Sequence, residues 1–475
     1  MRHKLFFIII TVSLAASTTF AKSYKVSDTV QYKETVKKLI AGDSLVLANG
    51  IWKDTQLEFK GNGSQNKYIY LAAETPGKVI LEGKSCLSIS GEWLHVSGLV
   101  FIKGLSPKKV VIDFKTSSKE YAFHCVLSNC VINNYNQDSK ETEDHWVELW
   151  GKYNTVEYSY FGGKTNGGTT LVVWPNDSNS TNNNHHIYRN YFAYRPLLGV
   201  NGGETIRIGT SQVCTNSSAS IVEGNYFERC NGEIEIISNK SCDNKYVNNT
   251  FYECEGCLTL RHGNRAIVTG NWFIGNEVKG TGGVRVINQD HLIYNNYFYK
   301  LRGDKFLSSL AIMNGIPNTP ANGYLQVKNV VASNNTFYDC ANPLALCVGY
   351  GERNRIARPE GVILKNNLIY CPKTAELIKT YDNADGIRLE NNLLIGSKGV
   401  STEKGTVPGE ALKAKVWNIE MVYSTLKATR LPYVTHDILG QPRGENVIGA
   451  FQNKEEQPLV ELATSINCGP KWYKP

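Results

Sequence analysis

The sequence predicts an all-β fold, a parallel β-helix (solenoid) in which short strands wind into stacked coils. Three observations carry that expectation. Asn, one residue and Phe recur at Asn190-Tyr191-Phe192, Asn225-Tyr226-Phe227, Asn249-Thr250-Phe251, Asn271-Trp272-Phe273, Asn296-Tyr297-Phe298 and Asn335-Thr336-Phe337. The tightest phenylalanine spacings, from 227 to 251 to 273 to 298, are 24, 22 and 25 residues. Between the copies lie short alternating runs such as Ile234-Glu235-Ile236 and Val284-Arg285-Val286, with no helical period. A period of about 20–30 residues made of short strands is the mark of a solenoid. Coils of such a solenoid stack at about 4.8 Å, so equivalent residues line up. Asparagines at the turns can then form amide ladders, and phenylalanines stack inside. A β-propeller blade would need about 40 residues, a period this sequence lacks.

Composition agrees with this reading. The 475 residues include 42 Gly, 26 Tyr and 16 Phe but only 3 Met, with 41% hydrophobic and 20% charged. A chain this apolar is not disordered, and its turn-rich composition excludes collagen, coiled coil and helical bundle. The elements follow in order. Residues 1–21 read as an export signal: Met1-Arg2-His3-Lys4 is basic, Leu5 to Ala16 is apolar but too short to span a bilayer, and Thr19-Phe20-Ala21 offers a cleavage site. Loss of Arg2 and Lys4 lowers the formal charge from +8 to +6. That modest surplus suits a polyanionic partner and asks for no nucleic acid. Asp28 to Ile40 fits a short amphipathic helix with Asp28 as N-cap, covering the open N-terminal end of the solenoid. Residues 22–475 read as a single β-helix domain. Its Asn-x-Phe beat is lost from about residue 401, where irregular coils and a C-terminal cover are expected.

The 12 cysteines do not form a disulfide framework in this reading. Cys230, Cys254 and Cys340 recur at one position of the repeat, each just after an aromatic pair and an acidic or basic residue. That is the behaviour of a small apolar residue in a stack. Cys254 and Cys257 form a CxxC, but no second pair lies at zinc spacing. His185-His186 falls in a polar loop beside Asn182, Asn183 and Asn184 and is expected to be exposed.

Four successive coils carry the candidate site. Aligned on one strand they read Thr205-Ile206-Arg207-Ile208, Glu233-Ile234-Glu235-Ile236, Cys257-Leu258-Thr259-Leu260 and Gly283-Val284-Arg285-Val286. Ile206, Ile234, Leu258 and Val284 then form one inward column, and Ile208, Ile236, Leu260 and Val286 a second. Alternation turns Arg207, Glu235, Thr259 and Arg285 outward, with Glu233 beside Glu235. Arg261 follows Leu260, and Lys240 lies just past the Glu233–Ile236 run. Such a face reads either as solvated ion pairs or as a site. Two glutamates at i, i+2 on one face repel unless a cation lies between them. An oxygen-only donor set invites a hard cation such as calcium, and Asn201 and Glu204 in the preceding coil are near enough to complete its shell.

At this point the sequence resembles polysaccharide lyase family 6, which contains alginate lyases and chondroitinase B. The resemblance rests on Gly232 to Ser241 (GEIEIISNKS) followed by Leu260-Arg261-His262-Gly263, on Ala41 to Asp54, and on Val200 to Gly209. It covers nearly the whole chain after the signal. It implies a right-handed parallel β-helix and a carbon-oxygen lyase that cleaves a uronate polymer by β-elimination, releasing unsaturated oligosaccharides. It implies Lys240 as Brønsted base and Arg261 as Brønsted acid. It implies Asn201, Glu204, Glu233 and Glu235 as ligands of a Ca²⁺ cofactor, and His262 and Arg285 as substrate contacts. Arginine is normally too basic to give up a proton, so stabilisation of the leaving oxygen is the conservative form of the Arg261 role. Arg285 in the strand after Arg-His-Gly, and the GGET run at Gly202 to Thr205, resemble the alginate-acting members. Dermatan sulfate is the alternative substrate. With the signal, the implied location is the periplasm or exterior of a bacterium. A non-catalytic polysaccharide-binding β-helix would fit a site lacking its base, yet Lys240 and Arg261 are both present. A pectinase-type hydrolase would need clustered aspartates that the aligned strands lack. Oligomeric state, chain-end or internal cleavage, and mannuronate or guluronate preference are not written in the sequence.

Overall fold

A computed structural model describes residues 21–400, 411–443, 447–452 and 458–475. The export signal lies almost wholly outside the described residues. The chain is a right-handed parallel β-helix. Among the described residues the strands build three fourteen-stranded sheets running the length of the solenoid. One strand of each coil enters each sheet. Helix α1 (Thr29–Thr35) and a single 3₁₀ turn (Val36–Lys38) follow the first strand of the solenoid, Ser23–Val26. Asp28 caps α1, accepting from the Val30 and Gln31 amides at 2.9 Å each. The α-helix is thus shorter than the sequence suggests. Tyr32 is its buried anchor, its hydroxyl donating to the Glu58 carbonyl at 3.0 Å.

The repeat sets the core. Phe192, Phe227, Phe251, Phe273, Phe298 and Phe337 stack face to face, with centroids 4.6–4.9 Å apart. Beside them runs the amide ladder. Asn190, Asn225, Asn249, Asn271, Asn296, Asn335, Asn367 and Asn392 each pass a side-chain N–H to the next Oδ1 at 3.0 Å. Each Oδ1 from Asn225 onward also accepts the backbone N–H of the preceding ladder residue. The sharp turn into the ladder needs a left-handed residue, and Asn248, Asn295, Asn334, Asn366 and Asn391 supply it with φ of 52–56°. Asparagine tolerates that region better than most side chains, which explains the paired asparagines of the sequence.

A second ladder lies at another corner. Asn154 accepts the Cys125 N–H, His185 Nδ1 accepts the Asn154 N–H at 3.1 Å, and His291 Nδ1 accepts the Ala266 N–H at 3.1 Å. His185 is therefore fully buried rather than exposed; a ring nitrogen can replace the asparagine oxygen at a turn, and that exchange hides the histidine. All twelve cysteines are buried and unpaired.

Of residues 411–475, those described cover one sheet. A hairpin of Leu412–Val416 and Ile419–Tyr423 opens the segment. Met421, Tyr423 and Phe451 pack on Trp272, Tyr297 and Tyr338. Farther along, Ala463 and Cys468 meet Tyr160, Tyr191 and Tyr226. Trp472 reaches Gly77 in an early coil. The segment thus runs back along the solenoid over the outward side chains of the Asn-x-Phe strands.

Candidate active site

The site lies on the outer face of another sheet, on four strands: β1 (Ile206–Gly209), β2 (Glu235–Lys240), β3 (Gly256–His262) and β4 (Thr281–Val286). Their register corrects the sequence alignment in one coil. Ile206 pairs with Ile237, Arg207 with Ser238, Ile208 with Asn239 and Gly209 with Lys240. Ile237 and Asn239 thus take the inward places assigned to Ile234 and Ile236. Ile234 is 42% exposed and lines the cleft. Asn239 is tolerated inside because it donates to the Ser241 and His262 carbonyls and accepts from Asn244 and the Tyr246 hydroxyl. One residue of that three-residue slip comes from a bulge beside Ile236, and a second bulge, at Arg261, follows it between β2 and β3. Each inserts a residue that has no partner across the ladder, and so re-aims Glu235 and Arg261 toward the cleft.

Three carboxylates converge there. Oxygens of Glu204, Glu233 and Glu235 lie within 4.8 Å of one another. Glu204 is 1% exposed, and its Oε2 is buried without a partner. Glu233 is pushed up to about 8 by burial and by the charges of Glu204 and Glu235. Glu235 is held by Ser238, with Arg285 at 3.8 Å and Arg261 at 4.0 Å. Lys240 Nζ stands 3.6 Å from Glu204. Asn201 lines the same cleft of about 410 Å³. An orphaned buried carboxylate oxygen within an all-oxygen set fits a hard cation. His262 sits behind Arg261, 1% exposed, 3.4 Å from both Arg261 and Ser211. Burial, then Arg261 and Lys240, depress it to about 3, so its imidazole is neutral.

A sequence profile of the chondroitinase B family matches residues 26–429. The chain belongs to polysaccharide lyase family 6. Similar solved structures bear the family's name. The family 6 alginate lyase AlyGC superposes with a TM-score of 0.84 at 37% identity, covering 95% of this chain and 59% of AlyGC. This chain therefore spans only about three-fifths of that enzyme's length. A mannuronic acid-specific family 6 lyase from the human gut microbiota is 34% identical, with coverage of 82% and 91% and a TM-score of 0.75. The family 6 lyase Pedsa3628 of Pseudopedobacter saltans is 25% identical, with coverage of 95% and 99% and a TM-score of 0.69. No curated protein sequence matches the chain.

The cleft and its surroundings hold residues that sequence reasoning missed. Tyr324 projects into the cleft from a long loop, its ring 4.0 Å from the Arg261 guanidinium and 4.2 Å from that of Arg355. Its hydroxyl accepts from Arg285 at 3.2 Å. Burial alone would raise this phenol; Arg285, Arg261 and Arg355 outweigh it and hold it below its ordinary value. Arg195 is the second omission. It is 2% exposed and donates to the Glu204, Gly168 and Gly202 carbonyls at 2.6, 2.8 and 3.3 Å. It thereby fixes the backbone that carries Glu204. Tyr324 sits in an inserted loop where the repeat gives no register; Arg195 stands in register with Cys230, an arginine where the repeat puts a buried cysteine.

Proposed function

We propose that this protein is an exported, calcium-dependent lyase that cleaves alginate by β-elimination. The observation that carries this reading is that Lys240 lies 3.6 Å from Glu204 and Arg261 4.0 Å from Glu235, two members of a carboxylate triad at an arginine-lined cleft. Asn201, Glu204, Glu233 and Glu235 would hold the calcium, which would neutralise the uronate carboxylate and spread the charge left on removing its neighbouring proton. Lys240 takes the C5 proton. The C5–H electrons form the C4–C5 double bond, and the C4–O bond breaks. Arg261 faces the departing O4 and stabilises its negative charge until O4 takes a proton from solvent water. Arg285 binds a substrate carboxylate, and the neutral His262 holds Arg261 in place behind the cleft. The uncharged imidazole adds no repulsion to that guanidinium. The alginate-type Arg285 and the alginate lyases among the similar structures support this substrate.

The test is ultraviolet absorbance of the new conjugated double bond, followed on mannuronate blocks, guluronate blocks and dermatan sulfate. Rising absorbance on alginate alone is the expected result. Rising absorbance on dermatan sulfate alone would transfer the activity to that polymer. Sugar release without absorbance would replace elimination with hydrolysis.

A further inference from the structure

Outside the acidic cleft, the same outer face carries an unassigned row of side chains. In the register of the sheet, the outward residue Arg207 of β1 stands beside Ser238 of the catalytic coil. Toward the N-terminus, Val172 and then Glu148 take its place in the next two coils, and Asp113 in a third. Two residues beyond those positions lie Trp174, Trp150 and Lys115. The equivalent residue in the Arg207 coil is Gly209, which pairs with Lys240. Lys240, Gly209, Trp174, Trp150 and Lys115 therefore follow one another along the solenoid axis.

The side chains of this row form a ladder. The Arg207 guanidinium lies 5.3 Å from the centroid of the Trp174 ring. Trp174 stacks on Trp150 at 5.4 Å with planes 16° apart. The Lys115 ammonium sits 3.2 Å over the other face of Trp150. Two indoles are thus clamped between two cations. The aromatic faces hold those charges in place without consuming their hydrogen bonds. Among the described residues neither the Lys115 nor the Arg207 side chain forms a hydrogen bond or a salt bridge, and Arg207 Nε is buried without a partner. Glu148 lies nearby, but its carboxylate is engaged by Trp150 Nε1 at 2.9 Å. His145, edge-on to Trp174, is a neutral imidazole, depressed to about 4 by burial and by Arg207. Asp113 is pushed up to about 8 by burial and by Glu148, and so carries a proton at neutral pH.

We propose that Arg207, Trp174, Trp150 and Lys115 form a remote binding track for the carboxylates of a uronate chain that extends from the cleft toward the N-terminal coils. A guanidinium with a free fork is suited to a carboxylate, and weak hydration lowers the cost of engaging it. Coils advance at about 4.8 Å, a step comparable to one pyranose unit, so a polymer lying along the axis meets successive coils with successive sugars. Arg207 meets a sugar next to the cleft, and Lys115 one farther out. The track thereby selects chain length. The proposal rests on the polyuronate reading of the cleft.

The experiment measures binding apart from turnover. Calorimetry titrates a hexauronate and a diuronate from alginate into the Lys240→Ala protein and into the same protein carrying Lys115→Gln and Arg207→Gln. Gln keeps a polar side chain without the charge, and matched melting temperatures check the fold; Lys115→Gln alone serves if the triple variant melts early. The added changes should weaken the hexamer about tenfold, the worth of one charge-assisted hydrogen bond, and the dimer far less. Equal loss on both lengths, or none on the hexamer, overturns the track. Turnover by the unaltered protein judges the cleft separately. Hexamer binding that depends on the track without absorbance growth would leave the track standing and remove the lyase reading. Absorbance growth with a length dependence that the two substitutions do not alter would do the reverse.

Discussion

In the proposed elimination, Lys240 is the residue that bears the most weight. It lies at the end of β2, half-buried and outside the apolar columns, so Lys240→Ala opens no core cavity. Turnover should vanish while the melting temperature and calcium binding persist; substantial residual activity would move the base elsewhere. Arg285→Ala should raise KM more than it lowers kcat, because its partner is a ground-state carboxylate as well as a developing charge. Arg195→Lys should cost activity without touching substrate. One ammonium, with three donors on a single nitrogen, cannot make the five contacts that Arg195 spreads over two nitrogens, to Thr170 Oγ1 and to the Glu204, Asn166, Gly168 and Gly202 carbonyls, so the strand end carrying Glu204 loses its anchor. Calcium affinity measured by titration is the readout, and an unchanged value would mean that Arg195 is only structural. Lys240, Arg261, Glu233 and Glu235 were legible because they sit at fixed distances in a motif. Tyr324 was not, because its loop obeys no period; Arg195 stands at the repeat position of Cys230, but its side chain acts through backbone carbonyls that carry no residue identity.

At the scale of strands and turns, the ladder is the unit of stability. Asn271 accepts from Asn249 through both its backbone and side-chain N–H, and donates to Tyr246 O and Asn296 Oδ1. Asn271→Ala therefore orphans buried groups on both neighbouring coils. It should cost about 1–3 kcal/mol per unsatisfied group, read as a lower denaturation midpoint. A loss no greater than that of an exposed asparagine, such as Asn179, would show that the ladder is decorative. The spacing of Asn-x-Phe made this element readable, and the φ > 0 requirement explains the doubled asparagines. The bulges of β2 and β3 were not readable. Periodic alignment assumes one residue opposite one, and an inserted residue such as Ile236 is apolar like its neighbours, so nothing in its chemistry marks the slip. The outward residues of the Asn-x-Phe strands gave a signal that was left unused: Tyr191, Tyr226, Trp272 and Tyr297 are aromatic where a solvated face would be polar, and each is covered.

For the whole molecule, two conditions should be decisive. Chelation should abolish activity and leave the fold, since the apolar columns do not involve the carboxylates; calcium should restore activity better than magnesium, which prefers a tighter shell. Fully active chelated enzyme would remove the metal from the mechanism. Acid should unfold the protein early. His185 and His291 are held near 3 and 4 by burial, against an ordinary value of 6.5. Below 6.5 the unfolded chain binds protons that the folded chain refuses. Stability is therefore fully present above that pH and falls on acidification, with each histidine contributing about 1.4 kcal/mol per pH unit until its folded value is reached. His185→Asn with His291→Asn should flatten the fall of melting temperature between pH 6.5 and 4.5; an unchanged slope would assign acid sensitivity to the carboxylates. The segment 411–475 adds a consequence in time. A solenoid coil can fold as soon as the coil before it exists, so assembly can follow the chain from its first coils onward. The covering segment reverses that order: Cys468 and Trp472 seat on coils completed long before they emerge. Until then the aromatic flank of the early coils is open and adhesive. Finishing the molecule is thus like closing a seam from the far end back to the start, and the tyrosines of that flank are where a half-made chain is most exposed to aggregation.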